Sequence, residues 1–152
     1  MAYYSFNVGA FELPFPSHEN LRLYKLFFVD SGLMCAMMLN GIQAQVLSGD
    51  IDVNEGALTE NYVAGEFAKH GISLNYYDRK SKHKLDFVFP EHNEINIVEV
   101  KSGKDYKQHA SLDMAHSLFA NKINRRIVMS GNNLEVEEDN IYLPLYMSMF
   151  FR

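Results

Sequence analysis

Residues 84–101 read KLDFVFPEHNEINIVEVK, two apolar runs with a period of two around a short polar centre. That period marks β-strands, and His92-Asn93 marks a tight turn. The stretch therefore predicts a hairpin of His83 to Phe89 with Glu94 to Lys101. Alternation sets Leu85, Phe87 and Phe89 on one face and Asp86 with Val88 on the other; Ile95, Ile97, Glu99 and Lys101 share a face of the second strand. A turn centred between His92 and Asn93 puts Asp86 directly opposite Glu99. Facing carboxylates repel, so the pair calls for a compensating cation. Mg²⁺ takes hard oxygen ligands, usually including one or two carboxylates, and leaves positions for water and substrate phosphate. Asp86, Glu99 and the backbone carbonyl of Val100 are the expected ligands of Mg²⁺ or Mn²⁺. Lys101 would orient the bound water or stabilise charge in the transition state. The alternative is a cross-strand cluster of ion pairs joining Asp86 and Glu99 to Lys84 and Lys101.

Outward from the hairpin, Ser73 to Tyr77 reads as a strand and the segment before it as a helix. Ala57, Val63, Ala64, Phe67 and Ala68 fall on one helical face. Asp52 with Glu55 suits a capping box, and Gly71 a C-terminal stop. Glu60 lies inside the apolar stripe, where a lone carboxylate is costly, and is the third candidate acid; Glu66 reads as surface. Beyond the hairpin, Tyr106 to Asn121 reads as a helix and Arg125 to Ser130 as a strand ended by Gly131-Asn132-Asn133. Glu135 to Asp139 reads as an acidic loop and Ile141 to Tyr146 as a last strand. Gln108 shares a helix face with Leu112, Ala115 and Phe119; it is a further catalytic candidate, or a plain polar residue on the helix flank. The order α-β-β-β-α-β predicts an α/β fold, one mixed sheet flanked by helices. Upstream, Leu23 to Val29 reads as a strand, followed by a turn at Ser31-Gly32 and an apolar helix ending at Gly41. Residues 1–21, with Pro14 and Pro16, read as an irregular N-terminal arm, and 22–152 as a single domain.

Composition agrees with one globular domain: 152 residues, 47% hydrophobic and 22% charged. The single cysteine, Cys35, reads as a buried thiol in a reducing compartment. The start MAYYSFNVGAFELPF has no basic segment followed by an apolar run, and Leu26 to Leu39 is too short to span a bilayer. A soluble cytoplasmic protein is expected, with no membrane partner. The six histidines show no zinc spacing; His109 and His116 read as polar residues near a surface. No G-x-x-x-x-G-K-[ST] loop is present, so no ATP site is expected in this chain. The net charge of −5 argues against generic nucleic-acid binding, yet residues 79–126 carry ten Lys/Arg against six Asp/Glu. Arg79, Lys80, Lys82, Lys104 and Lys107 are candidates to track a phosphate backbone, or simply a solvated face.

The run Tyr24-Lys25-Leu26-Phe27-Phe28-Val29-Asp30-Ser31-Gly32-Leu33 resembles a motif of an uncharacterised domain found C-terminal to the ATPase module of bacterial and archaeal AAA-type ATP-binding proteins. The likeness continues through Gly56 to Val63, Leu85 to Val88, Val98 to Gly103, Ser111-Leu112 and Leu143 to Tyr146. It implies a restriction-endonuclease-like, PD-(D/E)xK nuclease core, with Glu60, Asp86, Glu99 and Lys101 matching the nuclease motif and Leu85 replacing its proline. The expected function is Mg²⁺-dependent phosphodiester cleavage of nucleic acid, DNA in the first instance, in association with an ATPase module that this chain lacks. Two alternatives stand beside it. One is a non-catalytic domain that docks nucleic acid or a protein partner for such an ATPase. The other is a homodimerisation module using Phe27, Phe28 and the Met34 to Met38 run.

Overall fold

The computed structural model describes residues 1–38, 48, 55–79 and 83–152. The strands are β1 (Ala2–Val8), β2 (Glu19–Phe28), β3 (Asn75–Asp78), β4 (Lys84–Glu91), β5 (Glu94–Val100), β6 (Ile123–Ser130), β7 (Glu135–Glu137) and β8 (Asn140–Pro144). The helices are α1 (Ser31–Met37), α2 (Glu55–Lys69) and α3 (Ala110–Phe119). All eight strands form one mixed sheet in the order β2-β1-β3-β4-β5-β6-β8-β7, the α/β architecture expected.

The hairpin at its centre follows from its turn. His92 (φ 49°) and Asn93 (φ 74°) both adopt left-handed backbone, as a two-residue turn of the primed type requires, and the register runs from Glu91↔Glu94 to Phe87↔Val98. The chain reaches this hairpin through β3 from α2, which Gly71 terminates. At φ +75° Gly71 donates its N–H to the Ala68 carbonyl, and the Ile72 N–H reaches back to Phe67 at 3.0 Å. This is the Schellman pattern, which favours glycine at the left-handed position.

Each face of the sheet carries its own core. Val63, Ala64 and Phe67 of α2 pack with Phe27, Phe87, Phe89, Val98, Ile127 and Met129. Leu112 and Ala115 of α3 pack on the other side with Leu85, Val88, Ile95, Ile97 and Val128. Phe11 and Phe15 also enter the α3-side core, so the loop between β1 and β2 closes that layer.

Several boundaries differ from the sequence reading. Residues 1–21 are not an irregular arm: β1 lies inside the sheet, antiparallel to β2 and parallel to β3. Buried Asn7 hides this strand from a hydrophobicity pattern; its side chain mimics a strand edge, donating to the Asp78 carbonyl at 3.0 Å and accepting its N–H at 3.3 Å. The second long helix starts at Ala110, four residues after the expected Tyr106. The acidic loop is an edge strand, β7, whose glutamates guard the edge against mispairing; β8 stops at Pro144, short of the expected Tyr146. Leu85 joins the α3-side core rather than the row of Phe87 and Phe89. In α1 no residue is buried, and the Cys35 thiol is half-exposed instead of enclosed. Ala57 is exposed, so the apolar stripe of α2 begins at Val63. The expected helix end at Gly41 and the cap at Asp52 lie outside the described residues.

Candidate functional site

Glu60 owes its place to its neighbour. Asn61, buried in α2, accepts the Phe28 N–H at 2.7 Å and donates to the Phe28 carbonyl and to Ser31 Oγ. Its amide thus completes the end of β2 and clamps that strand to the helix. Asp30 caps α1 immediately beyond, accepting the Leu33 N–H at 2.7 Å. The clamp brings Lys25 of β2 to Glu60, and their side chains form a charge-assisted hydrogen bond. The Lys25 ammonium also stands 3.7 Å from Asp86 Oδ1, 5.0 Å from the centre of the Tyr76 ring and 6.0 Å from that of Phe27.

Asp86 sits where β4 loses its regular alternation. Leu85 and Val88, three residues apart, enter the same core, and the pairing with β3 slips between Asn75 and Tyr77. Ladder pairing with β5 ends at Phe87↔Val98, so Asp86 leaves the ladder instead of facing Glu99 in it. The simple alternation that groups Asp86 with Glu99 and Lys101 does not hold through this residue. One Asp86 oxygen meets Lys25 and Lys84, each at 3.7 Å, and the other accepts the Val100 N–H at 3.0 Å. The Val100 amide therefore ties Asp86 to the residue beside Glu99.

Glu99 continues the row of Ile95 and Ile97 along β5. It is 8% exposed; Oε1 pairs with Lys101 Nζ at 2.6 Å, whereas buried Oε2 has no hydrogen-bond partner among the described residues. Burial pushes its pKa above the ordinary glutamate value; the Lys101 hydrogen bond and charge oppose this, and the negative charge of Asp86 adds to it. Burial is the largest single influence on the Lys84 pKa and lowers it, but the charges of Asp86, Glu60 and Asp78 and the Lys25 side chain together leave it raised. The acids thus form two linked groups, Glu60 with Asp86 around Lys25, and Glu99 with Lys101. The ion pairs of the alternative reading, Lys84–Asp86 and Lys101–Glu99, are both present.

The remaining candidates are dispersed. Gln108 is exposed in a turn before α3, its N–H on the Asp105 carbonyl, and lies on no helix face. Its neighbour His109 is the buried polar residue there, with Nε2 2.8 Å from Tyr142 Oη, contrary to its reading as a surface group. Arg79 and Lys104 are exposed, while Lys80 and Lys82 lie outside the described residues. Lys107 is held by Glu135 and Glu137 at 2.8 Å each, which raises its pKa. Phe27 is buried at 6% and belongs to the core, leaving Leu33 and Met37 as exposed apolar side chains of α1. Lys25 was not a candidate from sequence. Its signal is a lysine between Leu23 and Phe27 on one face of a strand.

The donors suit a hard divalent cation chemically, and Glu99 Oε2 is a carboxylate oxygen without a partner among the described residues. Among the described residues no three His, Cys, Asp or Glu side chains form a ready-made metal cage. These features define an α/β domain with lysine-bridged carboxylates at its central strand ends. The chain belongs to the family described as a domain of unknown function, DUF4143, which matches residues 55–148. The match spans Glu60, Asp86, Glu99 and Lys101; Lys25 lies before it. Comparison with curated proteins and with solved structures gave no match. Among the described residues no helix is long and apolar enough to cross a membrane.

Proposed function

We propose that this is a PD-(D/E)xK domain on a restriction-endonuclease-like core: a Mg²⁺-dependent phosphodiesterase acting on nucleic acid, DNA in the first instance, alongside an AAA-type ATPase. The observation that carries the reading is a chain of contacts linking carboxylates of α2, β4 and β5. Asp86 is bonded to the amide next to Glu99, Glu60 is joined to Asp86 through Lys25, and one buried oxygen of Glu99 has no partner among the described residues. Asp86, Glu99 and the Val100 carbonyl would hold the metal. When bound, the metal supplies a Lewis acid and lowers the pKa of its water. Lys101, already against Glu99, would donate to the attacking water or to the phosphoryl oxygen as negative charge builds there. Exposed Arg79 and Lys104 would track the phosphate backbone.

A second reading has one observation in its favour. Lys25, Lys84 and Lys101 already answer the acids, as a structural ion-pair cluster in a docking domain would have them do. Cleavage of plasmid DNA with Mn²⁺, with Asp86→Asn and Lys101→Ala beside the wild type, decides between them. The nuclease reading expects Lys101→Ala to lose roughly 10²–10³ in rate, the scale of one transition-state contact, and to keep its Mn²⁺-induced rise in melting temperature. Asp86→Asn loses both. Salt-sensitive DNA binding without cleavage, indifferent to Lys101→Ala, would establish the docking role instead.

A further inference from the structure

We infer that Lys25 is the internal counter-ion of this site and that a divalent cation enters it by taking Asp86 away from the Lys25 ammonium. The inference rests on the metal-site reading above and adds a competition to it. Lys25 comes from β2, at the edge of the sheet, yet its ammonium reaches an acid on α2 and another on β4. The Tyr76 and Phe27 rings flank it, and an ammonium above an aromatic face is stabilised even while a carboxylate changes partners. Its two anionic contacts are unequal. Lys25 is hydrogen-bonded to Glu60, whereas Asp86 Oδ1 lies 3.7 Å away, beyond hydrogen-bond range. The other Asp86 oxygen is occupied by the Val100 N–H, so Oδ1 is the oxygen over which a cation and Lys25 would compete. Two like-charged cations on one carboxylate oxygen repel, and the loosely held ammonium gives way, keeping Glu60 and the Tyr76 ring.

Lys84 supplies an internal control. Its ammonium is also 3.7 Å from Asp86 Oδ1, but it is half-exposed and makes no bond to Glu60. Lys25→Met and Lys84→Met therefore remove the same charge at the same distance from Asp86, and only the first removes the bridge. The experiment is calorimetric titration of the chelator-stripped chain with Mn²⁺, paired with thermal unfolding. Lys25→Met is expected to bind Mn²⁺ roughly tenfold more tightly than wild type, as losing one competing charge-assisted contact implies. Without metal its melting temperature falls, because Glu60 and Asp86 lose their shared cation, and millimolar Mn²⁺ closes the gap. Lys84→Met should change affinity by a clearly smaller factor.

Equal tightening in both variants would reduce the effect to general charge and overturn the bridge. Unchanged or weaker binding in Lys25→Met would overturn it too. Mn²⁺ binding that Asp86→Asn abolishes and Lys25→Met leaves untouched would sink this inference alone. An absence of binding in every variant would sink the metal reading with it. Should Lys25→Met fail to fold, Lys25→Gln keeps a donor for Glu60 without the charge, and its affinity should rise in the same direction.

Discussion

Glu99→Gln removes one buried charge while keeping the shape of the side chain. Glu99 is 8% exposed, one oxygen is on Lys101 and the other has no partner among the described residues. Burial is the largest influence on its pKa and raises it; the Lys101 bond and charge reduce the rise without cancelling it. A carboxyl group with a higher pKa folded than unfolded binds more protons in the folded state. Its contribution is therefore fully present at acid pH and falls as pH climbs through the window between the unfolded value, 4.5, and the raised folded one. Above that window ionised Glu99 is a net liability that glutamine removes. Lys101 loses its partner in the variant, but its side chain is 29% exposed and can rehydrate, so the usual penalty for orphaning a buried charge is small. Replacing a poorly compensated buried charge by a neutral isostere should gain about 1 kcal/mol, or roughly 2–4 °C in a chain of this size. The assay is thermal unfolding of both proteins in chelator from pH 4 to pH 8, followed by circular dichroism. The variant should unfold at the higher temperature at pH 8, with the two curves merging toward the acid end. A Glu99→Gln protein that melts below wild type at pH 8 would refute the reasoning, since the Lys101 pair would then outweigh burial. A gain would mark Glu99 as a residue kept at the expense of stability, as functional carboxylates often are.

Two further substitutions test how the site is held. Asn61→Ala leaves the Phe28 N–H and carbonyl without their side-chain partner and should cost about 1–3 kcal/mol in urea unfolding; a loss below 0.5 kcal/mol, the ~±0.5 kcal/mol scale of surface changes, would show that the clamp between β2 and α2 is dispensable. Gly71→Ala forces a side chain into backbone at φ +75° where nothing crowds the added carbon, so conformation alone is tested. The same unfolding measurement should show a loss of about 1–2 kcal/mol, and no loss would mean the helix end relaxes without the left-handed residue.

Legibility followed period and punctuation. The hairpin, the helix stop at Gly71 and the order α-β-β-β-α-β rest on local signals: alternating apolar residues, a turn dipeptide and a glycine with positive φ. Strand β1 was missed because its buried positions include Ser5 and Asn7, which a hydrophobicity pattern reads as exposed. Strand β7 was missed because an edge strand is charged for the same reason that a loop is. Gln108 was placed on a helix face by extending a 3.6-residue period upstream, and a turn with the Gln108 N–H on Asp105 ends that period before Ala110.

The site was legible as a set of acids and illegible as an arrangement. Asp86 and Glu99 stand out because acids are rare in apolar strands, but the bulge that turns Asp86 out of its row depends on how β3 pairs with β4. Lys25 was harder still. It lies 35 residues before Glu60 and 61 before Asp86, and it meets them only because β2 folds onto the far side of β1 and Asn61 pins its end to α2. No period in the sequence carries that information, since it is a property of the sheet order. A lysine two residues before a core phenylalanine on the same row of a strand is nevertheless a usable signal: partly burying an ammonium is costly, so an anion must be waiting in the fold, and the anions here are the acids already suspected. The same reasoning from cost points to Glu99 Oε2. That buried oxygen, with no partner among the described residues, makes the carboxylate beside Lys101 the place where a bound cation would relieve the most strain.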